Sequence, residues 1–187
     1  MDATPFKDES TLKKAFTKIA TLDIKNYTCE IIELVANNEL SRERIQDILS
    51  KYYIQDIQKI KTELLDVLIA YANFVLEDDL ITNDEKSNFE FLKLYFEIKE
   101  GDFYIHKKNE IKVIINRQLE RIYQDNLITQ NESESNTILQ DMFDLDYDQL
   151  DKMKEDFVLK SIEQGAEIID LDTANVKFSK KKKQDRY

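Results

Sequence analysis

The sequence predicts an all-α fold: a compact bundle of about seven to eight helices built on two pseudo-repeated helix–turn–helix units. Three observations carry this. The 187 residues include only two glycines and one proline, too few turn residues for an all-β or doubly wound α/β fold. Apolar residues recur in steps of three and four along most of the chain, the period of a helix with one buried face. The stretch Glu77-Asp78-Asp79-Leu80-Ile81-Thr82-Asn83-Asp84-Glu85 also returns as Gln124-Asp125-Asn126-Leu127-Ile128-Thr129-Gln130-Asn131-Glu132. Each copy lies between two apolar helical runs.

Residues 1–9 read as a frayed N-terminus. Residues 10–54 then form N-terminal helices that pack on the core. The first runs from Ser10 to Thr21 on Leu12, Ala15, Phe16 and Ile19, and the second from Ile24 to Asn37 on Tyr27, Ile31, Leu34 and Val35. Ser41 caps a third through Ile45, Ile48 and Leu49 to Tyr53. Asn37-Asn38-Glu39-Leu40-Ser41-Arg42-Glu43 before it is a weak third copy of the repeated turn. A long helix spans Gln55 to Glu77 with a wide apolar face: Ile57, Ile60, Leu64, Val67, Leu68, Tyr71, Phe74 and Val75. Thr82 starts the next, through Phe89, Leu92 and Phe96, and Ile98-Lys99-Glu100-Gly101-Asp102 breaks it. A helix from about residue 101 to Gln124 carries Phe103, Ile111, Ile114, Ile115 and Leu119. Thr129 starts another, through Ile138, Leu139 and Phe143. Asp146 then caps a last helix to Gln164, with Leu150, Met153 and Phe157 inside and Gly165 as its left-handed end. Residues 55–168 form the repeated core, and 169–187 a basic, flexible tail.

The repeat extends beyond its turn. A shift of 47 residues superposes Asp78 on Asp125, Thr82 on Thr129, Phe91 on Ile138, Phe96 on Phe143 and Ile98 on Leu145. Turn preference alone would not hold apolar register that far, so these are two related helix pairs.

Charge is unevenly spread. The net charge is −11, but the last eleven residues hold six bases and one acid, which leaves the body near −16. Such a body repels nucleic acid, and only the Lys-rich tail is suited to approach it. No apolar run is long enough to span a bilayer. The polar start lacks the basic and apolar regions of a secretory leader. Both point to the cytoplasm.

Catalytic signatures are few. The single Cys29 and single His106 exclude an internal disulfide and a multi-Cys or multi-His metal cluster. Cys29 reads as a small buried hydrophobe and His106 as a surface residue. There is no phosphate-binding glycine loop and no nucleophile elbow. Tyr95, Phe96, Phe103 and Tyr104 read as core. Asp141, Asp144, Asp146, Asp148 and Asp151 read as a solvated helix junction with caps, with binding of cations or a basic partner as the alternative.

The repeated turns admit two readings. Thr82 with Glu85, and Thr129 with Glu132, have the spacing of capping boxes, in which the Thr oxygen accepts a backbone N–H and the Glu reaches back. The same acids could hold a cation. A twelve-residue calcium loop does not fit, because positions 1 and 3 would be Phe74 and Leu76 in one copy and Arg121 and Tyr123 in the other. A site pooling carboxylates from both turns stays open.

The order acid, Asp or Asn, apolar pair, Thr, Glu between amphipathic helices resembles the TerB-like (tellurite-resistance) helical family, as do the helix ends Phe96-Glu97-Ile98 and Phe143-Asp144-Leu145-Asp146. The resemblance covers about residues 55–165. It departs from the pattern where Asp79 and Asn126 replace a turn glycine. It implies two pseudo-repeated helical units and an acidic metal-binding surface, with Asp78, Asp79, Glu85, Asp125 and Glu132 as the residues facing a divalent cation. The expected function is that of a non-enzymatic interaction or accessory protein of a bacterial stress or defence system, docking a protein partner and requiring no cofactor. The alternatives are a divalent-cation-binding module and a carboxylate-metal hydrolase.

Overall fold

The computed structural model describes residues 6–21, 25–77, 81–122, 137–163, 166–170 and 177–180. These form a helical bundle with one small hairpin. The helices are α1 (Glu9–Ile19), α2 (Asn26–Ala36), α3 (Arg42–Lys51), α4 (Lys61–Val75), α5 (Asn83–Tyr95), α6 (Asp102–His106), α7 (Lys108–Ile122), α8 (137–142) and α9 (Tyr147–Glu163). A 3₁₀ turn, Ile57–Ile60, leads into α4. α1 packs on α2 and α4, α4 on α5 and α7, and α7 on α9.

The spacing rules place the core well. Leu12, Ala15, Phe16 and Ile19 of α1 are buried, as are Leu64, Val67, Leu68 and Tyr71 of α4. Five fully buried rings link the layers. Phe16 lies 5.5 Å from Tyr71, Tyr71 6.4 Å from Phe89, and Phe89 5.8 Å from Phe103 and 5.9 Å from Phe143. These rings join α1, α4, α5, α6 and the end of α8 through offset and edge contacts. Phe96 and Phe103 are core as expected, while Tyr95 and Tyr104 are half-buried. Cys29 is half-buried rather than inside, and His106 is exposed.

The duplication holds in three dimensions. α4 and α7 begin at 61 and 108, the same 47-residue shift. Leu64, Val67, Leu68 and Ala72 of α4 are buried, and so are their equivalents Ile111, Ile114, Ile115 and Leu119 of α7. The helix ends match as well. At the end of α5 the Ile98 amide donates to the Lys93 carbonyl and the Glu97 amide to Leu94. At the end of α8 the Leu145 amide donates to Gln140 and the Asp144 amide to Asp141. Glu97 (φ 54°) and Asp144 (φ 51°) are both left-handed, the usual geometry of such a cap. α2 and α3 end the same way, at Asn38 (φ 57°) and Tyr53 (φ 56°). α3 spans 10 residues against 13 in α5.

Four expectations need correction. The helix expected over 55–77 begins instead as a 3₁₀ turn, and the one expected over 101–124 is interrupted at Lys107. Ile60 (φ −115°) and Lys107 (φ −134°) occupy equivalent positions 47 apart, and each leaves helical geometry just before its long helix. Neither is Gly or Pro, so local sequence does not mark the break. The expected fray over 1–9 fails at Phe6–Asp8, because Phe6 is buried and Asp8 is the N-cap of α1. The expected flexible tail over 169–187 fails in part as well. Lys177–Lys180 form a strand antiparallel to Ala166–Asp170, pairing Ile168 with Phe178 and Glu167 with Ser179.

Candidate partner-binding site

Two pockets among the described residues are lined by polar side chains. The larger is a cleft of about 430 Å³ between α5 and the α8–α9 junction. Its carboxylates are Glu90, Glu100, Asp141, Asp144 and Asp146, and its one lining base is Lys86.

Local folding positions each of these groups. Asp144 is the left-handed residue that ends α8. Asp146 caps α9: its carboxylate accepts the Gln149 amide at 2.7 Å, and the Gln149 side-chain oxygen accepts the Asp146 amide at 3.2 Å. This reciprocal pair satisfies two N–H groups that a helix start leaves open. Glu90 and Lys86 sit one turn apart on α5. The Lys86 ammonium reaches Asp141 at 2.6 Å and so ties α5 to α8.

Lys93 lies behind the lining and pairs with two of its acids. Its side chain is 8% exposed, and its ammonium lies 2.7 Å from Asp144, 3.3 Å from Glu90 and 3.3 Å from the Met142 carbonyl. A buried ammonium needs such a set of acceptors. Asp144 Oδ2 is enclosed without a partner. Two lysines are thus set against five carboxylates, and the cleft keeps a negative surplus at its rim, where Glu90, Glu100, Asp141 and Asp146 are exposed. The helix-end geometry expected over Asp141 to Asp151 is present at Asp144 and Asp146, but Asp144 is half-buried on Lys93 rather than solvated. The charge pairs across it were not visible in sequence, because they join residues 51 and 55 positions apart.

The smaller place is a groove of about 360 Å³ beside the α3–α4 link. Tyr27, Ile54 and Ile60 line it, with Tyr53 standing out at 94% exposure. Lys25 closes one edge by an ion pair with Glu63, which also accepts the Tyr27 hydroxyl at 3.1 Å. That pair holds the Lys25 ammonium well above its usual range.

Of the residues expected to face a cation, Asp78, Asp79, Asp125 and Glu132 lie outside the described residues. So do Thr129 and the apolar pair Leu127-Ile128. Glu85 is described, and it caps. Its Oε2 accepts the Thr82 amide and the Thr82 hydroxyl, each at 2.8 Å, while Thr82 Oγ1 accepts the Glu85 amide at 3.2 Å. Ile81 beneath this box is buried. Among the described residues no group of three His, Cys, Asp or Glu is arranged to hold a metal ion. Among the same residues, no helix is long and apolar enough to cross a membrane.

Comparison with protein-family models, curated proteins and solved structures finds no match to this chain.

Proposed function

We propose that the protein is a non-enzymatic helical interaction protein whose acidic cleft docks a basic surface of a protein partner. The observation that carries this reading is the cleft between α5 and the α8–α9 junction. Among the described residues, its five carboxylates are set against two lysines, Lys86 and Lys93, and most of the acids keep water contact at the rim. Exposed like charges in a concave site concentrate a field that attracts an opposite partner and sets its register. The TerB-like pattern of the repeated turns extends the reading to an accessory role in a bacterial stress or defence system.

The test is neutralisation of the rim without loss of its caps. Glu90→Gln, Asp141→Asn and Asp146→Asn together remove three charges, and Asn retains the N-cap at 146. A lysine-rich probe peptide should bind the native chain in a salt-sensitive manner and the triple variant at least about tenfold more weakly, as for complementary charged surfaces. A photocrosslinker at Glu100 in the native host should capture a basic protein. Equal binding by the folded triple variant would remove the cleft from consideration.

A further inference from the structure

The N-terminal arm meets a different stripe of α5, and its contacts have the form of peptide recognition. Asn88 is 1% exposed. Its Oδ1 accepts the Lys7 amide at 2.8 Å and its Nδ2 donates to the Lys7 carbonyl at 2.5 Å. One buried side-chain amide therefore holds both main-chain polar groups of a single residue. The Lys7 side chain is exposed, so the clamp reads backbone rather than side chain. One residue earlier, the Phe6 ring fills the wedge between Phe91, 6.4 Å away and edge-on, and Tyr95, 6.1 Å away. Asn88, Phe91 and Tyr95 stand three and seven positions apart, along one face of the helix.

We propose that the Asn88–Phe91–Tyr95 stripe is a docking site for an extended peptide segment of a partner protein, and that the chain's own Phe6–Lys7 fills it at rest. The segment must present a phenylalanine followed by a main-chain amide with both polar groups free. The clamp dictates that chemistry: a buried amide left empty is costly, so whatever replaces the arm must supply the same acceptor and donor. The arm is held by the buried Phe6 ring and the Asn88 pair. It then turns sharply at Asp8 (φ 44°, ψ 60°) into α1, which has its own cap on Thr11. An N-cap ordinarily adopts extended geometry, so this left-handed one marks a strained join between arm and helix. Phe89 and Leu92, beside the stripe, are fully buried and root α5 in the core. The site is separate from the acidic cleft, and its test does not depend on that reading.

The experiment uses the full chain and a fluorescent peptide with the sequence Met1 to Ser10. In the native protein the tethered arm competes at high effective concentration. Phe6→Ala should therefore raise affinity for the peptide by at least about tenfold. Adding Asn88→Leu, replacing the peptide's phenylalanine by alanine, or N-methylating its lysine amide should each abolish that gain. A Phe6→Ala chain that keeps native helical circular dichroism but binds no better than wild type would overturn the proposal. Binding that ignores Asn88 would do the same. If Phe6→Ala does not fold, amide exchange in the native chain decides. Exchange of the Lys7 amide should accelerate as the peptide is raised to millimolar concentration, and unchanged exchange at saturation overturns the site. A concentration-dependent dimer held by exchanged arms would assign the groove to a second copy and overturn the partner-protein assignment.

Discussion

Lys93→Met tests whether the lysine behind the acidic cleft is a paired buried charge. Methionine preserves most of the side-chain volume and removes the ammonium. Breaking a fully buried ion pair from one side costs about 3–5 kcal/mol, because the other charge is stranded. Lys93 is 8% exposed, but Asp144 retains 22%, so the stranded carboxylate stays partly hydrated and the expected loss falls to about 2–3 kcal/mol. The second Asp144 oxygen, already enclosed without a partner, offers no alternative.

The double variant sharpens the test. Asp144 is left-handed at φ 51°, a geometry that costs an ordinary residue about 1–2 kcal/mol and glycine almost nothing. Asp144→Gly alone should relieve that strain and strand Lys93 on Glu90 and a carbonyl, for a net loss of about 1 kcal/mol. Lys93→Met with Asp144→Gly removes both charges and the strain, and should return to within about 1 kcal/mol of wild type. Urea unfolding followed by circular dichroism gives the four stabilities and a coupling of about 3–4 kcal/mol. Additive effects, or a Lys93→Met loss below about 1 kcal/mol, would refute the pairing.

Three further outcomes follow from other sites. Tyr53→Gly should stabilise the fold by about 0.5–1 kcal/mol in the same urea assay, because Tyr53 is left-handed and its ring is in water. Tyr71→Phe should cost no more than about 1 kcal/mol in its thermal melt, since the Asn88 amide beside the buried hydroxyl is already committed to Lys7 and burial holds the hydroxyl far above the tyrosine range; a larger loss would show that the Asn88 contact anchors the ring. Burial raises Asp102, but the Lys61 ammonium at 2.8 Å and the Lys99 amide outweigh it and hold its carboxyl below the usual range. Its contribution is therefore complete above about pH 4, the unfolded value, and is lost as pH falls through the lower folded value. The stability gap between wild type and Asp102→Asn, measured by urea titration, should shrink only below that pH.

What sequence could show, it showed through periodicity and caps. Leu12, Ala15, Phe16 and Ile19 announce α1 by spacing, and Ser41 and Thr82 announce α3 and α5 by their capping oxygens. The 47-residue shift survives because both copies repeat apolar positions, not merely turn residues. The helix breaks at Ile60 and Lys107 were hidden, since tertiary contacts set them: Lys107 is buried against Asp66 of α4. The left-handed ends at Tyr53, Glu97 and Asp144 were hidden for a related reason. No glycine marks them, and the following Ile54, Ile98 and Leu145 hold the turn by packing on the core. The arm and the cleft needed the fold, because Asn88 and Lys7 are 81 positions apart and Lys93 and Asp144 are 51 apart. Of the acids expected to hold a cation, Glu85 alone is described, and its capping role was readable from Thr82 three residues before it.

The duplication also separates acids that the fold requires from acids that it does not. Asp144 and its equivalent Glu97 end helices, and Asp146 starts one, so backbone geometry accounts for them. Glu90 and Asp141 bind lysines. In the other copy, equivalents of the rim acids are uncharged or basic: Thr137 for Glu90, Tyr147 for Glu100, Leu94 for Asp141 and Lys99 for Asp146. The rim is thus no inheritance of the repeat; it forms only where the two copies face one another. Glu100 is the informative member. It is exposed, and no ion pair among the described residues includes it. Glu100→Gln should leave stability within about 0.5 kcal/mol of wild type yet weaken the basic probe peptide and flatten its salt dependence. Asp146→Ala should instead lose about 1 kcal/mol through its cap. If Glu100→Gln alters stability and not binding, the cleft is a folding device and its surplus charge has no partner to attract.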